Sequence, residues 1–165
     1  MKTYTIPKFC HYSNFFPRFY CLNKHQIELT WKVKFTESCK YEIDEKSCVN
    51  KLFGFCFGLG VHKNSLRFGW TYNKETNNIF IWHYDYSKGR LMKLKLYSCD
   101  INEEHEYKVI LRKQNNDYIG GLVIDGNEES AMRFENITSK FITTLGPYFG
   151  GETRAPHKII IEKTN

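Results

Sequence analysis

Residues 27–35 read IELTWKVKF, and apolar and polar side chains alternate along the whole stretch. The apolar positions are Ile27, Leu29, Trp31, Val33 and Phe35. Because successive side chains of a β-strand point to opposite faces, this alternation predicts a strand with one face in a hydrophobic core and the other in water.

The same alternation continues along the chain, and helical periodicity is nearly absent. Strands are predicted at residues 51–58, 65–72, 79–86, 91–97, 105–112, 118–124, 129–134 and 158–163, with a short helical turn near 136–140. Polar turns separate the strands, and Asp125-Gly126 is a strong signal for a tight turn. Eight to ten strands at this spacing are typical of a sandwich or barrel, and we predict an all-β fold, a two-sheet antiparallel β-sandwich of the jelly-roll kind.

The length of 165 residues suits a single sandwich domain that spans residues 1–165. Residues 1–24 are rich in aromatic side chains but lack a strand pattern. We therefore expect them to form an irregular segment that packs onto the sandwich.

The charge pattern argues against a specific nucleic-acid site. The formal net charge is +6, but lysines and arginines are scattered, often at alternating positions such as Lys32 and Lys34. Such spacing is typical of a solvated sheet face, whereas nucleic-acid binding favours a cluster. No stretch approaches the roughly 18 apolar residues of a membrane span, so membrane insertion is not expected.

Six cysteines occur without a CxxC pair or a compact Cys/His cluster of zinc spacing. The N-terminal residues lack the apolar segment of a secretory signal, so we expect a cytoplasmic protein with mostly unpaired thiols. Release by cell lysis, as for a virus, leaves no trace in a sequence, so a place in a virion stays open. Thiol titration under denaturing, non-reducing conditions is expected to find most of the cysteines free.

Two parts of the sequence resemble a known superfamily. Residues 107–111 and 123–126, a strand and a strand that ends in Asp-Gly, resemble a hairpin of concanavalin A-like lectins and glucanases. Residues 147–151 and 155–161 resemble the closing strand of jelly-roll proteins from gut bacteria and their phages. Residues 50–55 and 64–70 fit the same resemblance, which together covers about two-thirds of the chain. It implies the fold rather than an activity, because this fold hosts lectins, hydrolases, lyases and capsid proteins.

The glucanase relatives carry their catalytic acids in a Glu-x-Asp-x-Glu strand, and this chain departs from that pattern. The nearest run is Glu42-Ile43-Asp44-Glu45, and Lys46 takes the place of the second acid. Retaining hydrolysis needs two carboxylates about 5 Å apart, so we predict that the protein is not an enzyme. No metal site and no cofactor are predicted.

Aromatic side chains concentrate in residues 79–86, where Phe80, Trp82, Tyr84 and Tyr86 share one face. Such a row suits a sandwich core, and we expect this face to point inward over part of its length. The alternative is a contact surface on which sugar rings stack, joined by Trp70 and Tyr72 and flanked by polar groups. The candidate ligand-binding residues are Arg67, Trp70, Tyr72, Trp82, His83, Tyr84 and Asp85.

Two hypotheses follow. The first is a glycan-binding module that acts through the aromatic sheet face or the loop rim. The second is a structural or interaction protein, such as a phage virion or surface component, that self-associates or docks on another protein. A groove with exposed aromatic rings would favour the first hypothesis, and a large exposed apolar patch would favour the second.

Overall fold

A computed structural model describes residues 1–42 and 48–164, and almost all of its regular structure is β-strand. A single 3-10 turn at Glu37–Cys39 is the only helical element in these residues. The strands, in chain order, are β1 (Lys2–Ile6), β2 (Phe19–Cys21), β3 (Gln26–Phe35), β4 (Asn50–Phe57), β5 (Ser65–Asn73), β6 (Asn78–Ser87), β7 (Arg90–Asp100), β8 (Glu104–Gln114), β9 (Asp117–Ile124), β10 (Asn127–Phe134), β11 (Phe141–Leu145) and β12 (Ile159–Lys163).

The strands form two antiparallel six-stranded sheets that pack face to face. The first sheet has the order β1-β12-β3-β8-β9-β10, and the second has the order β2-β11-β4-β5-β6-β7. The prediction of an all-β, two-sheet jelly-roll sandwich is confirmed.

The alternating stretch 27–35 lies in β3 and carries part of the core. Trp31, Val33 and Phe35 are buried, while Lys32 between them is exposed. The Trp31 ring stacks on Tyr4 of the same sheet and on Phe53 of the opposite sheet, with ring centroids 4.8 and 4.5 Å apart. Burying large aromatic surfaces at this contact ties the two sheets together.

The tight turn at Asp125-Gly126 is confirmed. Both residues have positive φ, 48° and 86°, as the turn that fits the right-handed twist of a two-residue hairpin requires. Asp125 also accepts a hydrogen bond from the Glu106 backbone N–H (2.8 Å), which fixes the turn to the neighbouring strand β8.

Two local expectations differ from the structure. The N-terminal segment, expected to be irregular, contributes the short strands β1 and β2, which pair with β12 and β11. Its short strands lack the length that makes alternation visible in a sequence. No helical turn forms near residues 136–140, where Asn136 adopts a positive φ of 55° that a right-handed helix does not allow.

No helix in the described parts of the chain is long and apolar enough to cross a membrane. The hydrophobic core lies between the two sheets and is formed by the side chains that face inward from each of them. The other face of the second sheet carries the candidate site.

Candidate functional site

The aromatic row of β6 lies on the outer face of the second sheet, not on its inner face. Ile79 and Ile81, which alternate with the row, belong to the buried core. In the register of β5 and β6, Arg67 lies opposite Tyr84 and Gly69 lies opposite Trp82. Because directly opposite residues share a face, these side chains line the outer surface together.

Trp70 and Tyr72 do not join this row. Trp70 lies opposite Ile81, is fully buried, and packs against Phe35 of the other sheet with a centroid distance of 5.4 Å. Tyr72 is half-buried on the same inner side, and its hydroxyl donates a hydrogen bond to Asn77 (3.1 Å). The hypothesis that Trp70 and Tyr72 contribute to an outer contact surface is therefore wrong.

His83 and Asp85 also point into the sandwich, because they continue the inner row of β6. Both are 1% exposed, and His83 Nε2 lies 2.8 Å from Asp85 Oδ1. The other ring nitrogen of His83 is hydrogen-bonded to Ser130 Oγ of the opposite sheet (2.8 Å). Polar groups that the sequence suggested for binding hydroxyls thus partner each other inside the protein, as buried polar groups generally must.

Arg67 is the central feature of the outer face. It is only 6% exposed, and its Cζ lies 5.1 Å from the centroid of the Tyr84 ring, in cation–π contact. Gly54 on the adjacent strand makes room for it, since a Cβ there would lie 2.9 Å from Arg67 Cγ. Burial lowers the pKa of the guanidinium from its usual value.

Among the described residues, the Arg67 guanidinium has no carboxylate partner. Its Nε is buried without a hydrogen-bond acceptor, and no described Asp or Glu forms a salt bridge with it. Leaving a buried charged donor unsatisfied is costly, and an acceptor oxygen at this position would remove that cost.

Lys51 of β4 supplies a second cation beside Arg67. It is 7% exposed, its Nζ donates to the Val49 carbonyl (2.7 Å), and it lies 4.4 Å from the Tyr84 ring centroid. Burial, followed by repulsion from Arg67, lowers the pKa of Lys51 to about 8. Arg67 and Lys51 therefore lie side by side, both largely buried, and no described Asp or Glu forms a salt bridge with either.

A groove of 720 Å³ opens above these two cations. Its walls come from the loop after β4, from the N-terminal segment and from the turn after β11; they include Tyr12, Phe15, Leu59, His62, Lys63, Leu145 and Tyr148. Tyr12 and Leu59 are largely exposed at the rim. None of the described residues that line the groove is an Asp or a Glu, so its electrostatic character is positive.

Two of the groove phenols, Tyr84 and Tyr148, stay protonated at neutral pH. Burial, together with the neighbouring Tyr86, holds the pKa of Tyr84 well above its usual range. Burial, together with Tyr12, also raises the pKa of Tyr148. At neutral pH both hydroxyls are hydrogen-bond donors and acceptors rather than bases.

Of the predicted site residues, the structure brings Arg67, Trp82 and Tyr84 onto the outer face. Lys51, Tyr12 and Tyr148 were missed. Lys51 had a signal, because it is the only charged residue in the apolar run 51–58. Tyr12 and Tyr148 meet only through the fold, in an isolated β-bridge between distant segments.

Two other expectations concern catalysis and metals. Asp44, Glu45 and Lys46 of the acidic run lie outside the described residues, and Glu42 is exposed. Among residues 1–42 and 48–164, no three His, Cys, Asp or Glu side chains converge in an arrangement that could hold a metal ion.

Comparisons with known proteins find similarity in structure only. No protein-family model and no curated protein matches the sequence. The structure is similar to a PL7 alginate lyase from Zobellia galactanivorans, with a TM-score of 0.58 and 11% identity over 90% of this chain and 63% of the lyase chain.

Weaker similarity extends to two further structures. An alginate lyase from Klebsiella pneumoniae has a TM-score of 0.49 and 7% identity, over 85% of this chain and 57% of the lyase chain. The CBM2 module of the evolved Dit protein of Lactobacillus casei BL23 phage J-1 has a TM-score of 0.47 and 13% identity, over 96% of this chain and 71% of the module.

The chain spans less than two thirds of the length of either lyase. At these identities the similarity concerns the fold. Together with the observed sheet order, the similarity to the Zobellia lyase shows that this chain has a two-sheet antiparallel jelly-roll fold.

Proposed function

We propose that the protein binds an acidic glycan in the groove above Arg67 and Lys51, and that it does not transform this ligand. The observation that carries the proposal is the buried guanidinium of Arg67, which has an unsatisfied Nε and no described carboxylate partner. A carboxylate or sulfate group on a sugar would supply the missing acceptor oxygens. Arginine pairs with such planar or tetrahedral anions through two parallel hydrogen bonds.

The rest of the groove suits a sugar better than a small inorganic ion. A volume of 720 Å³ lies within the range of about 300–1,000 Å³ that is typical of ligand sites. Tyr148 and the exposed Tyr12 pack edge to face, with ring centroids 5.1 Å apart, and offer aromatic surface at the rim. Sugar rings have apolar faces that stack on such rings, while the protonated phenols can bond hydroxyl groups.

The chemistry of the groove supports binding over turnover. Hydrolysis by the usual route needs a pair of carboxylates, and no described residue of the groove wall is acidic. Proton abstraction needs a base whose pKa lies near the working pH, and the pKa values of Tyr84 and Tyr148 are raised. Lys51 has its pKa lowered to about 8, but its Nζ donates to the Val49 carbonyl (2.7 Å), and we assign its charge to binding the anion. His62 also lines the groove, but its ring packs edge to face on Tyr86, with a centroid distance of 5.0 Å.

Isothermal titration calorimetry with a matched panel of glycans tests the proposal. The panel contains neutral polysaccharides, uronate polymers including alginate (the substrate in the names of the similar lyases), and sulfated polymers. We expect binding to the acidic members, weaker binding at high salt because the contact is ionic, and no binding to the neutral members.

Three results would contradict the proposal. Equal affinity for neutral glycans would remove the role of the cations. An unsaturated or reducing product would make the protein an enzyme. A panel without any ligand, together with self-association in analytical ultracentrifugation, would favour the structural or interaction hypothesis.

The affinity for the acidic ligand is expected to fall as the pH rises above about 8. Lys51 has its pKa lowered to about 8 in the free protein, and a bound anion would raise that pKa. Binding is therefore strongest below the free pKa and is lost between it and the higher pKa of the complex. Each pH unit by which the anion raises the pKa corresponds to about a tenfold change in affinity.

Calorimetry between about pH 7 and pH 10 measures this profile, with Lys51→Gln as the control. The variant is expected to bind more weakly and to show a flat profile in this window. A wild-type profile that is also flat would show that Lys51 does not face the ligand.

A further inference from the structure

Lysines continue the inner rows of β1 and β12 at one end of the first sheet, where Lys2 is exposed and Lys163 is half-buried. Along β1 the inner row runs from Ile6 through Tyr4 to Lys2, and along β12 it runs from Ile159 through Ile161 to Lys163. Lys2 and Lys163 lie directly opposite each other in the antiparallel register. Like charges at directly opposed positions destabilise a sheet, so an anion bound between the two lysines would be stabilising.

Arg18 adds a third positive charge at the same place. Its backbone is fixed to β11, because Arg18 N–H donates to Thr144 Oγ1 (2.7 Å) and its carbonyl accepts from Thr144 N–H (2.8 Å). Burial, followed by the charges of Lys2 and Arg18, lowers the pKa of Lys163. In the described parts of the chain, no Asp or Glu forms a salt bridge with any of the three.

The three cations surround a cavity of 310 Å³ at the open edge of the sandwich. Its floor is Trp31, which is held rigidly in the ring stack between Tyr4 and Phe53. Lys163 Nζ lies 5.1 Å from the centroid of the Trp31 ring. One acid, Glu28, also lines the cavity, and its carboxylate is 3.8 Å from Lys108 Nζ.

This cavity lies beside the groove above Arg67 and is lined by a different set of cations. Phe15, Thr144 and Leu145 line both spaces, so the two adjoin along these residues. Phe15 is held in place by Gly146, where a Cβ would lie 2.1 Å from Phe15 Cγ, and by the Trp31 ring at 5.9 Å. Neither Arg67 nor Lys51 reaches the edge cavity.

We propose that the edge cavity, bounded by Lys2, Arg18 and Lys163 over Trp31, is a second anion-binding site. Its ligand is a carboxylate, sulfate or phosphate group carried on a molecule no larger than about a monosaccharide, since the cavity lies at the lower end of the usual size range of ligand sites. The anion relieves the repulsion between the opposed lysines. The buried ring stack acts as a rigid floor, not as a stacking platform, because Trp31 and Tyr4 are almost fully covered.

Titrations with glucuronate, inorganic sulfate and inorganic phosphate test this site, each at constant ionic strength with chloride as the reference anion. Binding is measured by calorimetry and by the intrinsic tryptophan fluorescence, to which Trp31 under Lys163 contributes. We expect saturable binding that is weakened at least about tenfold by Lys163→Gln and by Arg18→Gln, because each removes one charge-assisted hydrogen bond. Arg18 is exposed, so its variant is expected to fold normally even if the Lys163 variant does not.

Two controls separate this site from the groove and from general salt effects. Lys113→Gln removes an exposed charge outside both cavities and should leave the affinity unchanged. All of these titrations are carried out in an Arg67→Gln background, which removes the anion contact proposed for the groove, so the remaining saturable binding reports the edge cavity. Tighter binding of glucuronate than of sulfate or phosphate would identify a sugar acid as the ligand, and equal affinities would identify the oxoanion group alone. In that background, anion binding that survives both Lys163→Gln and Arg18→Gln, or the absence of any saturable binding, would overturn the proposal.

Discussion

Replacing Arg67 by glutamine is expected to lower the affinity for an acidic glycan by about a hundredfold. The variant loses a charge-assisted, bidentate contact made in a poorly solvated place, and removing such a contact costs about 3 kcal/mol. Glutamine keeps a polar side chain of moderate length, so the groove should retain its shape. Calorimetric titration of the wild-type and variant proteins with the same glycan measures the loss.

The stability of the same variant gives an independent check. Arg67 is a buried charge without a described counter-ion, so removing that charge relieves a desolvation cost even though the contact with Tyr84 is lost. We therefore expect the melting temperature of Arg67→Gln to equal or exceed that of the wild type. A residue kept only for structure would give the opposite sign.

Arg112→Gln is the matched control for this prediction. Arg112 lies on the other sheet, is partly exposed, and pairs with Glu128 through two hydrogen bonds of 2.9 Å. Its loss should change neither glycan affinity nor stability by more than a few tenths of a kcal/mol, as for other surface ion pairs. If both arginine variants bound the glycan like the wild type, the groove would not be the binding site.

The fold was predictable because the strongest signal in the sequence, alternation with a period of two, is also the signal that decides a sandwich. Long strands such as β3 and β8 repeat the alternation several times. Their predicted ends lie within one or two residues of the observed ends. The strands that were missed, β1, β2 and β11, are short, and each is defined by a partner far along the chain. Local sequence cannot carry information about such pairings.

The error in the aromatic face has a specific cause. The row 80–86 was expected to point inward, but Ile79 and Ile81 occupy the core instead. The alternative, in which Trp70 joins Trp82 on a contact surface, fails because the register places Gly69 opposite Trp82 and Trp70 opposite Ile81. A shift of one residue moves every side chain of a strand to the other face. Alternation reveals that a strand has two faces, but the register between strands decides which faces combine.

The candidate site was only partly predictable for a related reason. Arg67 and Tyr84 lie on neighbouring strands, so the hairpin brings them together and sequence reasoning could find them. Tyr12, Lys51 and Tyr148 come from three distant segments that converge only in the folded sandwich. The absence of a counter-charge near Arg67 is likewise a property of the assembled groove, which no single strand pattern contains.

Trp70 lies on the inner face of the second sheet and Trp82 on its outer face. Replacing each of them is therefore expected to lower the free energy of unfolding by very different amounts. Trp70 is fully buried and packs against Phe35 and Tyr41, with centroid distances of 5.4 and 5.8 Å. Trp70→Ala is therefore expected to cost about 3–5 kcal/mol, the usual range for emptying a large aromatic core position. In a chain of this size that loss lowers the melting temperature by about 10 °C or more.

Trp82→Ala is expected to cost less than half as much, about 1–2 kcal/mol, because Trp82 is half-buried on the outer face. Its indole N–H donates to Thr71 Oγ1 (2.9 Å), and that contact is near the surface, where water can replace it. Urea denaturation of both variants measures the difference in the free energy of unfolding. Trp70→Phe is the control, and its loss is expected to be smaller than that of Trp70→Ala. Phenylalanine keeps an aromatic ring at this position and removes an indole N–H that has no partner among the described residues. Equal losses for Trp70→Ala and Trp82→Ala would show that the aromatic row of β6 belongs to the core and that the groove has been assigned to the wrong face of the sheet.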